Sequence, residues 1–302
     1  MKKRSKIFFI ATLFLASLTI AVVWYFNFSH RQWFWYPRDW RAEEFAQLKV
    51  AKDEAKILQQ VNLEWRDKDL ASDKYHTRFG ILMYHHINFK HSKLAVRPEI
   101  FEEQIKFLLS RGYRFVKLSD AFKTFASSAS SSSPYDKTLV LTFDDGYRDF
   151  YLNAYPILKK YNVPASFYVI NQDIGRPGNV TMEMIKNLHQ EGLVEIGAHT
   201  VNHLALGRLK PEAAFYQMIK SKELLERELN TTIETIIYPF GSFNANVKKQ
   251  AQQIGFLGGA SVYFGQRPSS QDLFAWRRVM ITNSDLGQIL LRKIFIAFEV
   301  VK

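Results

Sequence analysis

Two short segments of this 302-residue chain carry side chains that could hold a metal ion and activate water. Residues 142–146 contain adjacent carboxylates, Asp144 and Asp145, and His199 and His203 stand four residues apart. Two imidazoles at this spacing converge on one point if the segment is helical or tightly looped. One carboxylate and two neutral imidazoles suffice to bind a divalent cation, with further positions open to water and substrate. The other carboxylate is then free to act as a base on that water.

The segments that precede these residues have the pattern of buried strands. Residues 139–143 form an apolar run that ends at the two aspartates, and Val194–Ala198 leads into His199. Helical patterns lie between the strands, at 98–111, 148–161, 182–190, 211–229 and 246–254. Strands that alternate with helices predict an α/β fold with a parallel sheet, in which residues that follow the strands share one edge. We therefore expect Asp144, Asp145 and His199 on the same rim.

At these residues the chain resembles a known family. Residues 142–146 (TFDDG) and 199–203 (HTVNH) are similar to the first two signature motifs of the polysaccharide deacetylases, the NodB-type carbohydrate esterases of family 4. The resemblance extends over residues 78–282 and implies a distorted (β/α) barrel of about seven strand–helix units. It also implies that Asp144 is the general base and that Asp145, His199 and His203 bind the metal. Zn²⁺ is the expected ion, with Co²⁺, Ni²⁺ and Fe²⁺ as alternatives for such ligands.

Hydrolysis of an amide also requires an acid that protonates the departing amine. Many members of the family supply a late His, but this chain has no His after His203. His85 and His86 follow a strand predicted at 81–84. Residues 81–118 resemble the opening of the poly-N-acetylglucosamine deacetylases of biofilm-forming bacteria, where the His of a Tyr-His-x-[IV] motif is the acid. This resemblance favours His85 and leaves His86 as the alternative.

Two further positions complete the predicted site. Residues 238–241 (YPFG) resemble the third family motif, R-x-P-Y-G, with Phe240 in place of Tyr. In the family the backbone N–H at this position stabilises the oxyanion together with the metal. Ile237 replaces the motif Arg, which pairs with the base carboxylate. We predict Arg278 as its substitute, because the biofilm subgroup carries an Arg in a late strand of similar pattern.

The N-terminal segment predicts a membrane anchor. Residues 1–6 include four basic residues, and residues 7–29 are uncharged and long enough to cross a bilayer, which takes about 20 apolar residues. We expect a cytoplasmic tail at 1–6, a single-pass signal-anchor at 7–29 and a juxtamembrane helical spacer at 30–77. Residues 78–302 would then form an extracellular catalytic domain. Whether the anchor segment is cleaved stays open.

Net charge and cysteine content limit the classes of molecule that this chain is expected to bind. The net charge of +12 favours anionic lipid headgroups and acidic wall polymers. The basic residues are dispersed and no nucleic-acid motif is present, which argues against nucleic acid. The chain has no Cys, so disulfides and thiolate metal ligands are excluded.

These features together predict a metal-dependent N-deacetylase that acts on N-acetylglucosamine in an extracellular polysaccharide. The polymer that we favour is the poly-β-1,6-N-acetylglucosamine of biofilms, and deacetylation of peptidoglycan is the alternative. An O-acetyl esterase of xylan type and a non-catalytic carbohydrate-binding protein are less favoured. The expected partners are the polymer, the membrane, and machinery for exopolysaccharide synthesis or export.

Overall fold

The computed structural model describes residues 77–90, 92–128, 134–262, 265 and 268–299. The predicted tail and signal-anchor, and all of the predicted spacer except Thr77, lie outside the described residues. Within the described ranges no helix has both the length and the apolar character that crossing a bilayer requires.

The described residues form ten β-strands and seven α-helices, most of them in alternation. The strands are β1 Phe79–Tyr84, β2 His86–Ile87, β3 Ala95–Val96, β4 Arg114–Val116, β5 Thr138–Phe143, β6 Ala165–Val169, β7 Val194–Ala198, β8 Thr235–Ile237, β9 Gly258–Ala260 and β10 Val279–Met280. The α-helices are α1 Pro98–Ser110, α2 Leu118–Ser127, α3 Tyr155–Tyr161, α4 Met182–Glu191, α5 Pro211–Leu229, α6 Ala245–Ile254 and α7 Gly287–Phe298.

Eight of these strands form one curled sheet in which every pairing is parallel. The strand order is β10-β1-β5-β6-β7-β8-β9, with β4 paired to β5, and β2 and β3 form a separate pair. Trp276 bridges Ala260 of β9 shortly before the chain enters β10, so one segment contacts both edges of the curl. The predicted α/β class and parallel sheet are therefore confirmed.

The neighbouring strands β1 and β5 are mostly apolar because both of their faces are covered. Every residue of β1 and of β5 is buried, and the two strands pair in register from Phe79 with Thr138 to Tyr84 with Phe143. Continuous apolar runs of this kind are typical of parallel strands with helices on their outer face. Since both strands end at the same level, the residues that follow them meet at one rim.

The helix predicted at 148–161 is divided in the structure. Residues Phe150–Ala154 form a π-helical turn, and the α-helical part is α3. Pro156 lies in the first turn of α3 and has no N–H to donate to a preceding carbonyl, so a regular α-helix cannot continue through it. The widened turn directly follows the TFDDG segment, a position where such turns often accompany functional residues.

Candidate metal centre and active site

The two aspartates lie where β5 ends and the backbone turns sharply. The Asp144 N–H donates to the Tyr84 carbonyl at 3.0 Å, which extends the pairing of β5 with β1 by one residue. Asp145 then has φ = 73° and Gly146 has φ = 72°. The left-handed conformation is natural for Gly but uncommon for other residues. The turn thus costs conformational energy at Asp145, and it lets two adjacent carboxylates face different partners.

Asp144 is buried and is held by Arg278. Two hydrogen bonds of 2.7 Å run from Arg278 Nη1 and Nη2 to the two carboxylate oxygens. Arg278 is itself only 1% exposed, and it also donates to the Ser261 carbonyl and to Thr142 Oγ1. Burial alone would raise the pKa of Asp144, but the guanidinium outweighs it and lowers the pKa. Asp144 is therefore an ionised carboxylate at neutral pH.

Asp145, His199 and His203 form a compact group of potential metal ligands. Asp145 Oδ1 lies 3.3 Å from His199 Nε2 and 3.4 Å from His203 Nε2. The three ligand atoms all lie within 4.8 Å of one another. Residues that were separated by more than fifty positions in the sequence thus converge on one point, as the metal site predicted from the two motifs requires.

The hydrogen bonds made by His199 and Asp145 leave one potential ligand atom of each side chain available to a cation. His199 Nδ1 lies 2.8 Å from the Ile237 carbonyl oxygen, which can only accept, so Nδ1 carries a proton and Nε2 is the nitrogen that presents a lone pair when the ring is neutral. Asp145 Oδ1 is buried and makes no hydrogen bond within the described part of the chain. Burial lowers the pKa of His199, but the nearby carboxylates of Asp145 and Asp144 outweigh it and raise the pKa overall. One carboxylate and two imidazole nitrogens are also a donor set that suits a divalent ion such as Zn²⁺, so these residues fit the predicted metal.

A tight loop, and not a helix, brings the two histidines together. Thr200 and His203 have φ values of 68° and 57°, and the His203 N–H donates to Thr200 Oγ1 at 3.0 Å. The N–H groups of Val201 and Asn202 both donate to the side chain of Gln217 on α5. Burial, with His199 next to it, lowers the pKa of His203 to about 4. His203 is therefore neutral at pH 7, the form in which imidazole binds a metal.

The two vicinal histidines after β1 have different surroundings. Burial lowers the pKa of His85, while the carboxylates of Asp145 and Asp144 oppose this effect, so the His85 ring senses both site carboxylates. His85 Nδ1 is buried, and no described residue forms a hydrogen bond with it. His86 Nδ1 instead lies 2.7 Å from Asp149 Oδ2. His86 is thus paired with a carboxylate outside the group of potential ligands, whereas Nδ1 of His85 has no hydrogen-bond partner among the described residues.

Phe240 lies beside the metal ligands in a strained turn. Its φ is 57°, within the short helical turn Pro239–Gly241 that follows β8. The Phe240 ring packs against His203 with centroids 4.5 Å apart. Non-glycine residues in the left-handed region are often found at functional sites. The catalytic use of the Phe240 N–H stays a prediction, and the ring contact with His203 was not foreseen.

Tyr147 and Asp149 also lie near the site and were not predicted from the sequence. The Tyr147 ring stacks on His86 with centroids 3.5 Å apart, and burial together with the Asp145 carboxylate raises the pKa of its hydroxyl. Asp149 accepts from the Ile87 N–H and the Asn88 side chain in addition to its contact with His86. Both residues directly follow TFDDG, and this proximity was the only available signal.

Solved structures share this fold. The deacetylase PplD of Streptococcus pyogenes, solved in complex with acetate, aligns with a TM-score of 0.66 and 30% identity over 72% of this chain and 99% of its own. IcaB from Ammonifex degensii aligns with a TM-score of 0.62 and 23% identity over 72% of this chain and 97% of its own, which bears on the fold alone. The curled parallel sheet is thus the architecture expected from the NodB-type resemblance.

Sequence comparisons identify the family. A family model described as polysaccharide deacetylase matches residues 131–258. YxkH of Bacillus subtilis, provisionally named a polysaccharide deacetylase, is 33% identical over 205 residues, which are 68% of this chain and 72% of the relative. The poly-beta-1,6-N-acetyl-D-glucosamine N-deacetylase of Staphylococcus aureus is 30% identical over 216 residues, 66% of this chain and 71% of the relative. The resemblance predicted from the two motifs is therefore confirmed, and the chain belongs to the polysaccharide deacetylases, hydrolases that act on amide bonds.

Proposed function

We propose that this chain is a metal-dependent N-deacetylase of N-acetylglucosamine units in an extracellular polysaccharide, poly-β-1,6-N-acetylglucosamine foremost. The observation that carries the proposal is the convergence of Asp145, His199 and His203 beside a separate carboxylate, Asp144. A family member that had lost the activity would be expected to lack one of these groups. All four are present.

Asp144 is the proposed general base. Its ionised carboxylate accepts a proton from the water whose oxygen attacks the acetyl carbonyl carbon. The two hydrogen bonds from Arg278 keep the carboxylate ionised and fix its orientation. A base held on both oxygens cannot rotate away from the water, which keeps the reacting atoms aligned.

Asp145, His199 and His203 are the proposed ligands of the metal. When bound there, a divalent ion supplies Lewis acidity toward the acetyl carbonyl and lowers the pKa of water. The Phe240 N–H is the proposed second donor to the oxyanion that develops on the carbonyl oxygen. Removal of one such donor typically costs about 3 kcal/mol of transition-state stabilisation. The Phe240 ring against His203 keeps this turn next to the ligands.

His85 is the proposed general acid. When the C–N bond of the tetrahedral intermediate breaks, the electron pair goes to nitrogen, and His85 donates a proton to it. The products are acetate and a glucosamine unit that remains in the polymer. Burial lowers the pKa of His85 overall, and the carboxylates of Asp145 and Asp144 oppose this effect by favouring the protonated ring that this step needs. His86 is less suited because its Nδ1 is paired with Asp149.

The polymer assignment rests on similarity to relatives. The S. aureus relative is named for poly-beta-1,6-N-acetyl-D-glucosamine, and it aligns with 66% of this chain. The opening Tyr84-His85-His86-Ile87 and the absence of a His after His203 are the sequence features that favour the same substrate.

The test of the proposed function is product release from defined oligomers. The full chain, in detergent and with Zn²⁺ added, is incubated with β-1,6-linked and β-1,4-linked N-acetylglucosamine oligomers, and acetate and free amine are both measured. We expect equal amounts of the two products, faster release from the β-1,6-linked oligomer, and no release by the Asp144→Asn variant. Preference for the β-1,4 linkage would favour peptidoglycan, and release of acetate without amine from an O-acetylated oligomer would indicate an esterase.

We also propose that residues 7–29 anchor the protein in the membrane with the catalytic domain outside. The uncharged length of this segment and the basic residues before it support the proposal. Protease added to intact cells should digest the catalytic domain while the chain fractionates with membranes. Recovery of the full activity in the medium as a chain that begins after residue 29 would instead indicate a cleaved signal.

A further inference from the structure

A positively charged groove opens next to the active rim. It lies at the loop between β2 and β3 and encloses a cavity of about 490 Å³. We call it the basic groove, and its lining residues are Phe89, Lys90, Ser92, Lys93, Arg97 and Asn283. None of these residues takes part in the chemistry proposed above.

The groove belongs to the same rim as the catalytic residues. The loop follows β2, which begins at His86, next to His85. Asn283 connects the end of this loop to the segment after β10, because its side chain accepts from the Arg97 N–H and donates to the Ala95 carbonyl. β10 lies beside β1, and β1 beside β5, which ends at Asp144. Asn283 follows β10 by three residues and Asp144 follows β5, so the groove lies at the same end of the parallel sheet as the site. A polymer that presents one unit to Asp144 can therefore reach the groove with a flanking unit.

The groove combines unpaired positive charge with an exposed aromatic ring. Lys90 and Lys93 are exposed, and neither forms an ion pair with any described residue. The charge of Arg97 is shared with Glu99 at 2.6 Å, and its guanidinium lies 5.8 Å from the centre of the Phe89 ring. The Phe89 residue is 66% exposed. An exposed aromatic face can pack on the apolar face of a sugar ring. Lys90 and Lys93 place positive charge beside a sugar that is bound in this way.

The reaction itself changes the charge of the polymer. Each turnover replaces a neutral acetamido group by an amine, which is protonated at neutral pH. An acetylated unit enters the basic groove without a charge, whereas a deacetylated unit brings a positive charge close to Lys90 and Lys93. Like charges a few ångströms apart repel, more strongly at low ionic strength.

We propose that the basic groove is a polymer subsite that accepts acetylated units and disfavours deacetylated ones. Deacetylation beside an existing free amine is then slow. The inference rests on the proposed function, because it requires N-acetylglucosamine units to react at Asp144. It adds the residues that set the pattern of deacetylation along the polymer.

The test compares two β-1,6-linked N-acetylglucosamine tetramers with the full chain. One tetramer is fully acetylated, and the other carries a single glucosamine at a defined flanking unit. At an ionic strength of about 0.01 M, we expect kcat/KM to be about fivefold lower for the second tetramer, measured by acetate release. At about 1 M, where the screening length falls to about 3 Å, the two values should approach each other.

Two variants assign the discrimination to the groove. In Lys90→Gln/Lys93→Gln the ratio of the two kcat/KM values should fall to about one at low ionic strength. The matched control Lys106→Gln/Lys249→Gln removes the same charge from exposed lysines on α1 and α6 and should keep the wild-type ratio. Phe89→Ala should raise KM for both tetramers and lower kcat little, since the ring binds a flanking sugar and not the reacting group.

Several results would overturn the inference. A wild-type ratio of one at low ionic strength, a preference for the glucosamine-containing tetramer, or an unchanged ratio in Lys90→Gln/Lys93→Gln would each do so. Loss of the ratio in the control variant would attribute it to net charge and not to the groove. If the wild type releases no acetate from the fully acetylated tetramer, the proposed function fails and this inference falls with it.

Discussion

Arg278 donates one hydrogen bond to each carboxylate oxygen of Asp144, both at 2.7 Å, across 134 positions of the sequence. The two residues meet because β10 pairs with β1, and β1 pairs with β5, which brings the start of β10 near the end of β5. The family motif places an Arg before the YPFG segment, but this chain has Ile237 there. Arg278, which directly precedes β10, thus supplies the contact that the motif lacks.

Replacement of Arg278 should shift the pH dependence of catalysis. Asp144 acts as a base only when ionised, and in the wild type the guanidinium lowers its pKa against the effect of burial. In Arg278→Gln the guanidinium no longer opposes burial, so the pKa of Asp144 rises and the acid limb of the kcat/KM profile moves to higher pH. The control is Arg114→Gln, which replaces an exposed arginine on β4 and should leave the profile unchanged. Superimposable profiles for Arg278→Gln and the wild type would contradict the assignment.

The same pair should contribute to stability in a pH-dependent way. Arg278→Gln leaves a buried carboxylate without its partner, which typically costs about 3–5 kcal/mol of unfolding free energy. Because the pKa of Asp144 is depressed in the folded state, its stabilising effect is present above the unfolded pKa of about 3.9 and is lost as the pH falls through the folded pKa. Denaturant titration at neutral pH measures the cost. The Asp144→Asn/Arg278→Gln double variant should lose less than the sum of the single variants.

Substitution of the two vicinal histidines should separate their roles. His85→Ala is expected to lose about 10²–10⁴-fold in kcat, the usual contribution of a general acid, with metal content near that of the wild type. His86→Ala should lose less, because it disturbs the contact with Asp149 and the stacking on Tyr147 without removing the acid. Steady-state kinetics and metal analysis of both purified variants give the comparison. Retained turnover in His85→Ala would refute its role.

Removal of the metal should abolish activity and lower stability together. Dialysis against a chelator is expected to stop acetate release, and added Zn²⁺ should restore it. An ion at 100 times its Kd stabilises the folded state by about 2.7 kcal/mol, so the melting temperature should rise on addition of Zn²⁺. His199→Ala should lose this response, whereas His189→Ala on α4, outside the ligand group, should keep it. A melting temperature that Zn²⁺ shifts equally in His199→Ala would place the ion elsewhere.

The sequence by itself determined the fold class and the motif residues. The apolar run at 139–143 predicted a buried strand, and the alternation of strand and helix patterns predicted a parallel sheet. The TFDDG and HTVNH segments predicted which residues would share one rim, because each follows a strand and the carboxyl ends of parallel strands share one edge. The helix at 211–229 was predicted with the bounds of α5, since Pro211 can begin a helix and its apolar face repeats with helical period.

Only the tertiary structure decided which side chains face one another. The partner of Asp144, the difference between His85 and His86, and the ring of Phe240 against His203 depend on strand order and on left-handed turns at Asp145, Thr200 and His203. The basic groove likewise required the segment after β10 to pack beside the loop between β2 and β3. Local patterns report which residues are buried and in which element, because burial and period act over a few residues. Contacts between residues a hundred or more positions apart depend on how the whole sheet curls, which no local pattern records.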